Sequence, residues 1–251
     1  MQLAMTGRIA LITGASSGFG AHFARLFVRE GARVVIGARR VDRIAALAEE
    51  LGDAALAVAM DVNDEASIIA AYDAAEARFG TVDSVVANAG ISADGRSTDV
   101  PAADVAAVMA TNFTGAYLTA REGAKRMIAA GFKEGERGRI VLIGSITAEL
   151  TAQGDAAYAA GKAAVAHLGR QFAREWVRQG VNVNTIQPGY IQTEIAGDWF
   201  QTEGGARQIA NFHRRRMCPI EALDAPLLFL SSDASRYVTG ATLTVDDGQV
   251  L

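Results

Sequence analysis

The stretch Ile9-Ala10-Leu11-Ile12-Thr13-Gly14-Ala15-Ser16-Ser17-Gly18-Phe19-Gly20 decides how this chain is read. A short apolar run, the composition of a strand buried on both faces, passes directly into glycines. Phe19, Phe23, Leu26 and Phe27 then recur at helical spacing. Glycine lets the backbone turn tightly and approach a pyrophosphate. The helix start behind it offers unpaired N–H groups and a positive dipole end. The spacing is G-x-x-x-G-x-G rather than the commoner G-x-G-x-x-G, and three glycines alone describe only a flexible loop. Their position between a strand and a helix points to phosphate binding by Gly14, Ser16, Ser17, Gly18, Phe19 and Gly20.

Working outward, the same alternation repeats. Val-, Ile- and Leu-rich runs predict strands at 9–13, 33–37, 55–60, 82–87, 139–143, 181–186 and 242–245. Amphipathic segments predict helices at 18–30, 41–51, 65–79, 102–130 (one long helix or two in succession), 156–179 and 220–231. The expected class is α/β, a doubly wound parallel sheet of about seven strands with helices on both faces. With no linker or repeat, residues 1–251 are expected to form a single domain. The stretch 190–217 is the least regular. It follows Pro188-Gly189, carries Gly197, Trp199, Phe200 and Gly204-Gly205, and suggests a substrate lid.

Composition narrows the function. A net charge of −4 with both signs dispersed argues against nucleic acid as a partner. No apolar run is long enough to span a bilayer, and the first residues lack a signal peptide's basic start and long apolar stretch. A single cysteine, Cys218, permits no intrachain disulfide, which fits a cytoplasmic protein; before Pro219 it reads as a packing residue. His22, His167 and His213 are scattered, so no metal site is expected.

The second strand ends in Gly37-Ala38-Arg39-Arg40, where sites for NAD usually place an acid for the ribose 2′-hydroxyl. Without that acid, a 2′-phosphate can sit against the guanidinium of Arg39 or Arg40. This favours NADP(H), with NAD(H) possible if the arginines are merely solvated. Asp61-Val62 and Asn88-Ala89-Gly90 end the next two strands, where ligands of open parallel sheets bind. Asn88 read alone is a turn residue.

Tyr158 and Lys162 stand four apart in a helical segment, hence on one face. A cation beside a phenol lowers its pKa. Bringing a tyrosine from ~10 to ~7 takes about 4 kcal/mol, which Lys162 and a bound nicotinamide cation can supply together. Ser145 ends the fifth strand, where turn chemistry is the default for a serine but its hydroxyl can also bond a substrate oxygen. Asn112 lies inside a helical stretch that does not favour asparagine, so it holds a water or interrupts the ladder.

Together these motifs resemble the short-chain dehydrogenase/reductase family over nearly the whole length. The resemblance rests on Thr13 to Gly20, Asp61, Asn88-Ala89-Gly90, Asn112-x-x-Gly115, Ser145, Tyr158-x-x-x-Lys162 and Pro188-Gly189, in order. It implies a Rossmann-type fold and a ketone/secondary alcohol oxidoreductase with Asn112, Ser145, Tyr158 and Lys162 as catalytic residues. Ser145 would polarise the carbonyl and Tyr158 would be the general acid or base. Lys162 would bind the nicotinamide ribose, and Asn112 would hold a relay water. Pro188, Gly189, Ile191 and Thr193 would join the cofactor contacts. It also implies a homotetramer, although Asp247 stands where the family's VDGG ending has its first glycine. Thr147, Gln153, Tyr190, Trp199 and Phe200, with Ala93 and Leu150, are candidate pocket residues beside Ser145 and Tyr158. Trp199 and Phe200 also read as lid packing. The set holds no Lys or Arg, which suggests a small uncharged, apolar ketone or alcohol. Two other readings use the same residues: a nucleotide-sensing protein without turnover, and a dehydratase or epimerase.

Overall fold

Side chains along each predicted strand point alternately to two faces, and each face finds its own helices. In the computed structural model, which describes residues 5–194 and 197–251, Ala10, Ile12, Val34 and Ile36 pack with Phe23, Phe27, Ile44 and Leu227. Leu11, Val35, Val85 and Leu142 pack on the other side with Ile68, Tyr72, Met127 and Phe172. The seven strands are β1 (Ile9–Thr13), β2 (Arg33–Ala38), β3 (Ala55–Ala59), β4 (Ser84–Ala87), β5 (Gly138–Ile143), β6 (Val181–Pro188) and β7 (Thr242–Val245). They lie in the order β3-β2-β1-β4-β5-β6-β7, all parallel. The order reverses between β1 and β4, so a crevice opens beyond their C-terminal ends.

The helices are α1 (Gly18–Arg29), α2 (Val41–Leu51), α3 (Glu65–Arg78), α4 (Ala102–Met109), α5 (Gly115–Ala129), α6 (Ala156–Trp176), α7 (Glu203–Asn211) and α8 (Asp224–Ser231). Two expectations change in detail. The segment 102–130 is α4 and α5 joined by a π-helical turn, Ala110–Thr114, with Asn112 at its centre. The 220–231 segment begins as a 3₁₀ turn, Ile220–Leu223. Pro226 then falls in the first turn of α8, where its missing N–H forfeits no helical bond. No helix among the described residues is long and apolar enough to cross a membrane.

The N-terminal ends of the strands hold a buried charge network. Arg8, Asp83 and Arg139 are almost wholly buried. Asp83 accepts from the Ile9 N–H at 3.2 Å and from Arg137 Nε at 2.9 Å, and it pairs with Arg8. Arg8 also reaches Asp233 and the Arg137 carbonyl. Arg139 donates to the carbonyls of Ser232, Glu136 and Gly138. Burial raises the Asp83 carboxyl, with Arg8 and Arg137 acting against it. Burial lowers Arg139 to about 10, and the neighbouring Arg8 adds to that.

Candidate active site

The glycine loop is shaped by contact with the neighbouring strand end. A Cβ on Gly14 would lie 2.8 Å from Ala89 Cα, and Gly14 has a φ of +67°, so only glycine fits there. Asn88 fastens the same junction. Its N–H and that of Ala89 both donate to Thr13 Oγ1 at 3.0 Å, and its Nδ2 donates to the Thr13 carbonyl at 2.9 Å. Asn88 therefore ties the end of β4 to the end of β1, across 75 residues of sequence. Ser17 is the N-cap of α1 but makes no side-chain cap. The first-turn N–H groups are thus left for an anion, and Gly18 faces Thr193, whose Cβ would lie 3.7 Å from a Cβ placed on the glycine. This cradle fits a dinucleotide pyrophosphate.

At the adenosine end the two arginines differ. Arg39 is exposed and has no partner among the described residues. Arg40 donates to Ser16 Oγ at 3.0 Å, to Ser17 Oγ at 2.6 Å and to Glu194 at 2.9 Å. Glu194 also accepts from Arg43 at 2.6 Å, and these donors hold its carboxyl at about 2. Sequence reasoning missed Glu194 and Arg43. Asp61 accepts from the Asn63 N–H at 3.0 Å, and Val62 beside it is buried.

The proposed catalytic residues converge beyond β4 and β5. Ser145 Oγ accepts from the Thr147 N–H at 3.1 Å and from Thr147 Oγ1 at 3.0 Å, so its own proton is left to donate. Thr147 thereby supports Ser145 from a buried position. Burial pushes the Tyr158 phenol up to about 12, and Ser145 pulls the other way. Lys162 Nζ lies 5.5 Å from the Tyr158 ring centroid but donates to the Ile143 carbonyl at 2.8 Å. Burial lowers Lys162 to about 8. In the protein itself burial raises the Tyr158 phenol; the lowering expected from Lys162 together with a nicotinamide cation concerns the cofactor-bound site.

Asn112 uses its amide on one residue: Oδ1 accepts from the Ile91 N–H at 2.8 Å and Nδ2 donates to the Ile91 carbonyl at 2.9 Å. This pins the π turn to the 90s loop. A Cβ on Gly90 would lie 3.3 Å from Asn112 Oδ1 and 3.7 Å from Lys162 Nζ, so the three residues meet at one point.

The 190–217 segment is more regular than expected, with a 3₁₀ turn, Trp199–Gln201, and α7; residues 195 and 196 lie outside the described residues. Tyr190 stacks on Phe212 and meets Phe200 edge-on, both at 5.6 Å. Trp199 is half exposed and donates to Gln208 at 2.7 Å, as a packing residue of this segment would. Gln153 is exposed, and Ile191 is buried in the core. The segment is anchored at both ends by the C-terminus. Gln249 bonds the Tyr190 N–H at 2.6 Å and its carbonyl at 3.1 Å. Asp247 pairs with Arg214 and Arg216 at 3.1 and 2.6 Å. Pro188 pairs with Val245 in the sheet, and the Gly189 N–H donates to the Val245 carbonyl at 2.9 Å. Cys218 is buried and its thiol is raised by burial, in keeping with a packing role. Ala93 lines a cleft of about 470 Å³ between the 90s loop and α4, together with Asp94, Asp99 and Asp104.

Residues 8–204 match the family model described as short chain dehydrogenase. The chain is 37% identical over 250 residues to cis-4-hydroxycyclohexanecarboxylate dehydrogenase of Sinomonas cyclohexanicum, covering 98% of this chain and 97% of the relative. Among solved structures it resembles a gluconate 5-dehydrogenase from Burkholderia cenocepacia in complex with NADP and tartrate. That match has a TM-score of 0.92 and 34% identity and covers 99% and 97% of the two chains. A 3-ketoacyl-(acyl-carrier-protein) reductase from Brucella melitensis complexed with NADH matches at a TM-score of 0.90 and 31% identity, covering 99% and 100%.

Proposed function

The chain belongs to the short-chain dehydrogenase/reductase family and is an alcohol/ketone oxidoreductase, and from that premise we propose that it uses NADP(H) to interconvert a ketone and a secondary alcohol. The observation that carries this is the convergence of Ser145, Tyr158 and Lys162 beside the glycine cradle. The bound nicotinamide supplies or accepts the hydride. In reduction Ser145 donates a hydrogen bond to the carbonyl oxygen, and Tyr158 gives that oxygen its proton. The raised pKa keeps the phenol protonated at neutral pH, the state a general acid needs. Lys162 and the N–H groups of Ser17 to Gly20 hold the cofactor. Asn112 fixes the loop that closes over Lys162.

The preference for NADP(H) rests on Arg39, exposed and without a partner, next to Ala38 rather than an acid. Chemistry and cofactor binding share one domain, residues 1–251, with 190–217 as its lid. We read the working form as a cytoplasmic homotetramer: β7 is an edge strand with Leu243 partly exposed, and Tyr237 and Leu251 are bare.

The test is kcat/KM for ketone reduction with NADPH and with NADH at fixed salt. NADPH is expected to be favoured. Replacing Ala38 by Asp and Arg39 by Ser should reverse the preference, since one charge-assisted contact is worth about 1.5–3 kcal/mol, or one to two decades. A wild-type preference for NADH would refute the cofactor assignment and leave hydride transfer standing.

A further inference from the structure

We propose that Asp155 is a substrate-recognition residue whose carboxylate accepts a hydrogen bond from a hydroxyl next to the reacting carbonyl, so that the substrates are neutral hydroxy ketones and the corresponding diols. The inference rests on the reading above and sharpens its substrate class.

Asp155 is the N-cap of α6, a position where an aspartate ordinarily accepts an N–H of the first turn. It makes no such bond. Its Oδ1 is buried and accepts no hydrogen bond among the described residues. The donor that does face the carboxylate is its own backbone N–H. A carboxylate oxygen shielded from water and left without a donor is costly, and a ligand that brings a donor relieves that cost.

Its position says which ligand. Asp155 stands at the N-cap of α6, three residues before Tyr158, and its carbonyl accepts the Ala159 N–H at 2.9 Å, which places it within one turn of Tyr158. Its charge is felt at the hydroxyls of Tyr158 and Tyr190. Asp94 acts on Tyr158 in the same sense. The two acidic loops are fastened together, since the Gly95 N–H donates to the Gly154 carbonyl at 2.9 Å. Against these carboxylates the nearby cation, Lys162, is committed to the Ile143 carbonyl. A substrate carboxylate beside the reacting carbon meets repulsion here. A hydroxyl finds an acceptor, so the proposed substrate departs from the expected apolar one toward a polar, uncharged one.

Three ketones that share a propanoyl group separate the possibilities: 1-hydroxybutan-2-one, its isostere pentan-3-one, and 2-oxobutanoate, each assayed with NADPH on the full chain. The hydroxy ketone is expected to exceed pentan-3-one in kcat/KM by roughly 10- to 100-fold, the range for a hydrogen bond to a charged group. Asp155→Ala should collapse that ratio toward one. Asp155→Asn preserves the shape and should raise 2-oxobutanoate relative to pentan-3-one, because one of the two repelling charges is gone while Asp94 remains. NADPH affinity, read by fluorescence, reports that the variants are folded. An unchanged hydroxy ketone preference in Asp155→Ala overturns the proposal, as does a wild type that reduces pentan-3-one equally well. If the wild type reduces none of the three, nor any of a wider ketone panel, the reading as a ketone reductase falls, and this inference with it.

Discussion

At the N-terminal ends of the strands, Arg8, Asp83 and Arg139 are almost wholly buried, and opposite charges or several carbonyls meet them. At the C-terminal ends of the same strands Lys162 is equally buried and meets one carbonyl, that of Ile143. Asp155, nearby, has an oxygen with no donor. Both ends bear the cost of desolvating charge. The first recovers most of it within the protein, where Arg139 Nη2 makes no hydrogen bond among the described residues and lies 3.6 Å from Asp233; the second offers its charges fewer partners, as the proposed cofactor and substrate site would. The contrast separates a region that holds the sheet together from a region that waits for cofactor and substrate, and substitutions at the two ends should fail in different ways.

The largest expected effect is at the waiting end. Tyr158→Phe should lower kcat by roughly 10²- to 10⁴-fold, the usual contribution of a general acid, while cofactor affinity and Tm hold. The same variant isolates the phenol's titration. Its folded pKa is raised from 10 to about 12, so it stays protonated as pH rises past 10. The wild-type minus Tyr158→Phe absorbance difference at 295 nm should therefore appear only toward pH 12 without cofactor. A phenol titrating near 7 in the free protein would contradict the burial argument.

Asp83→Asn attacks the satisfied end. Removing the Asp83 charge weakens its pairs with Arg8 and Arg137, although Arg8 keeps Asp233 and the Arg137 carbonyl; a loss of about 3 kcal/mol, lowering Tm by roughly 6–12 °C, is expected. Turnover per folded molecule should be kept. A fall in kcat with no change in Tm would erase the distinction between the two ends.

A smaller effect is expected at Gly161, inside α6. An added Cβ would meet Met109 Sδ at 3.6 Å and Asn112 Cβ at 3.9 Å, ordinary contacts. Gly161→Ala should stabilise by about 0.5–1 kcal/mol, read as a rise in Tm. A loss of stability would mean that the packing against the π turn is tighter than these contacts.

The smallest effect concerns Glu194. Its carboxylate occupies Arg40, which a 2′-phosphate would otherwise reach. Glu194→Gln should tighten NADPH binding by up to about fivefold, the worth of an exposed ion pair. Isothermal titration against NADH, which lacks the phosphate, is the control: equal gains for both cofactors would mean that Glu194 does not compete with the phosphate.

The fold was legible because parallel strands buried on both faces leave continuous apolar runs. Ile9–Thr13 needed only that pattern, whereas Val181–Pro188 interleaves Asn182, Asn184 and Gln187 with its apolar residues. The π turn was not legible, because five residues barely disturb helical periodicity; only the out-of-place Asn112 marked it. At the site, ordered short motifs marked Ser145, Tyr158 and Lys162. Spacing does not reveal how deeply Tyr158 is buried, nor that the Ile143 carbonyl accepts from Lys162. Glu194 and Arg40 are 154 residues apart in sequence, and Gln249 and Tyr190 are 59 apart. Nothing local announces such pairs. No motif marks Asp155, and its unused cap became visible only with the fold.

The most direct measurement follows the hydride. The protein is incubated with 1-hydroxybutan-2-one and NADPH carrying deuterium at both C4 positions of the nicotinamide, and the butane-1,2-diol formed is analysed by mass spectrometry and NMR. One deuterium on C2, the former carbonyl carbon, in amount equal to the NADPH consumed, is the predicted result. Binding of NADPH with no diol formed, or diol formed without deuterium at that carbon, would contradict it.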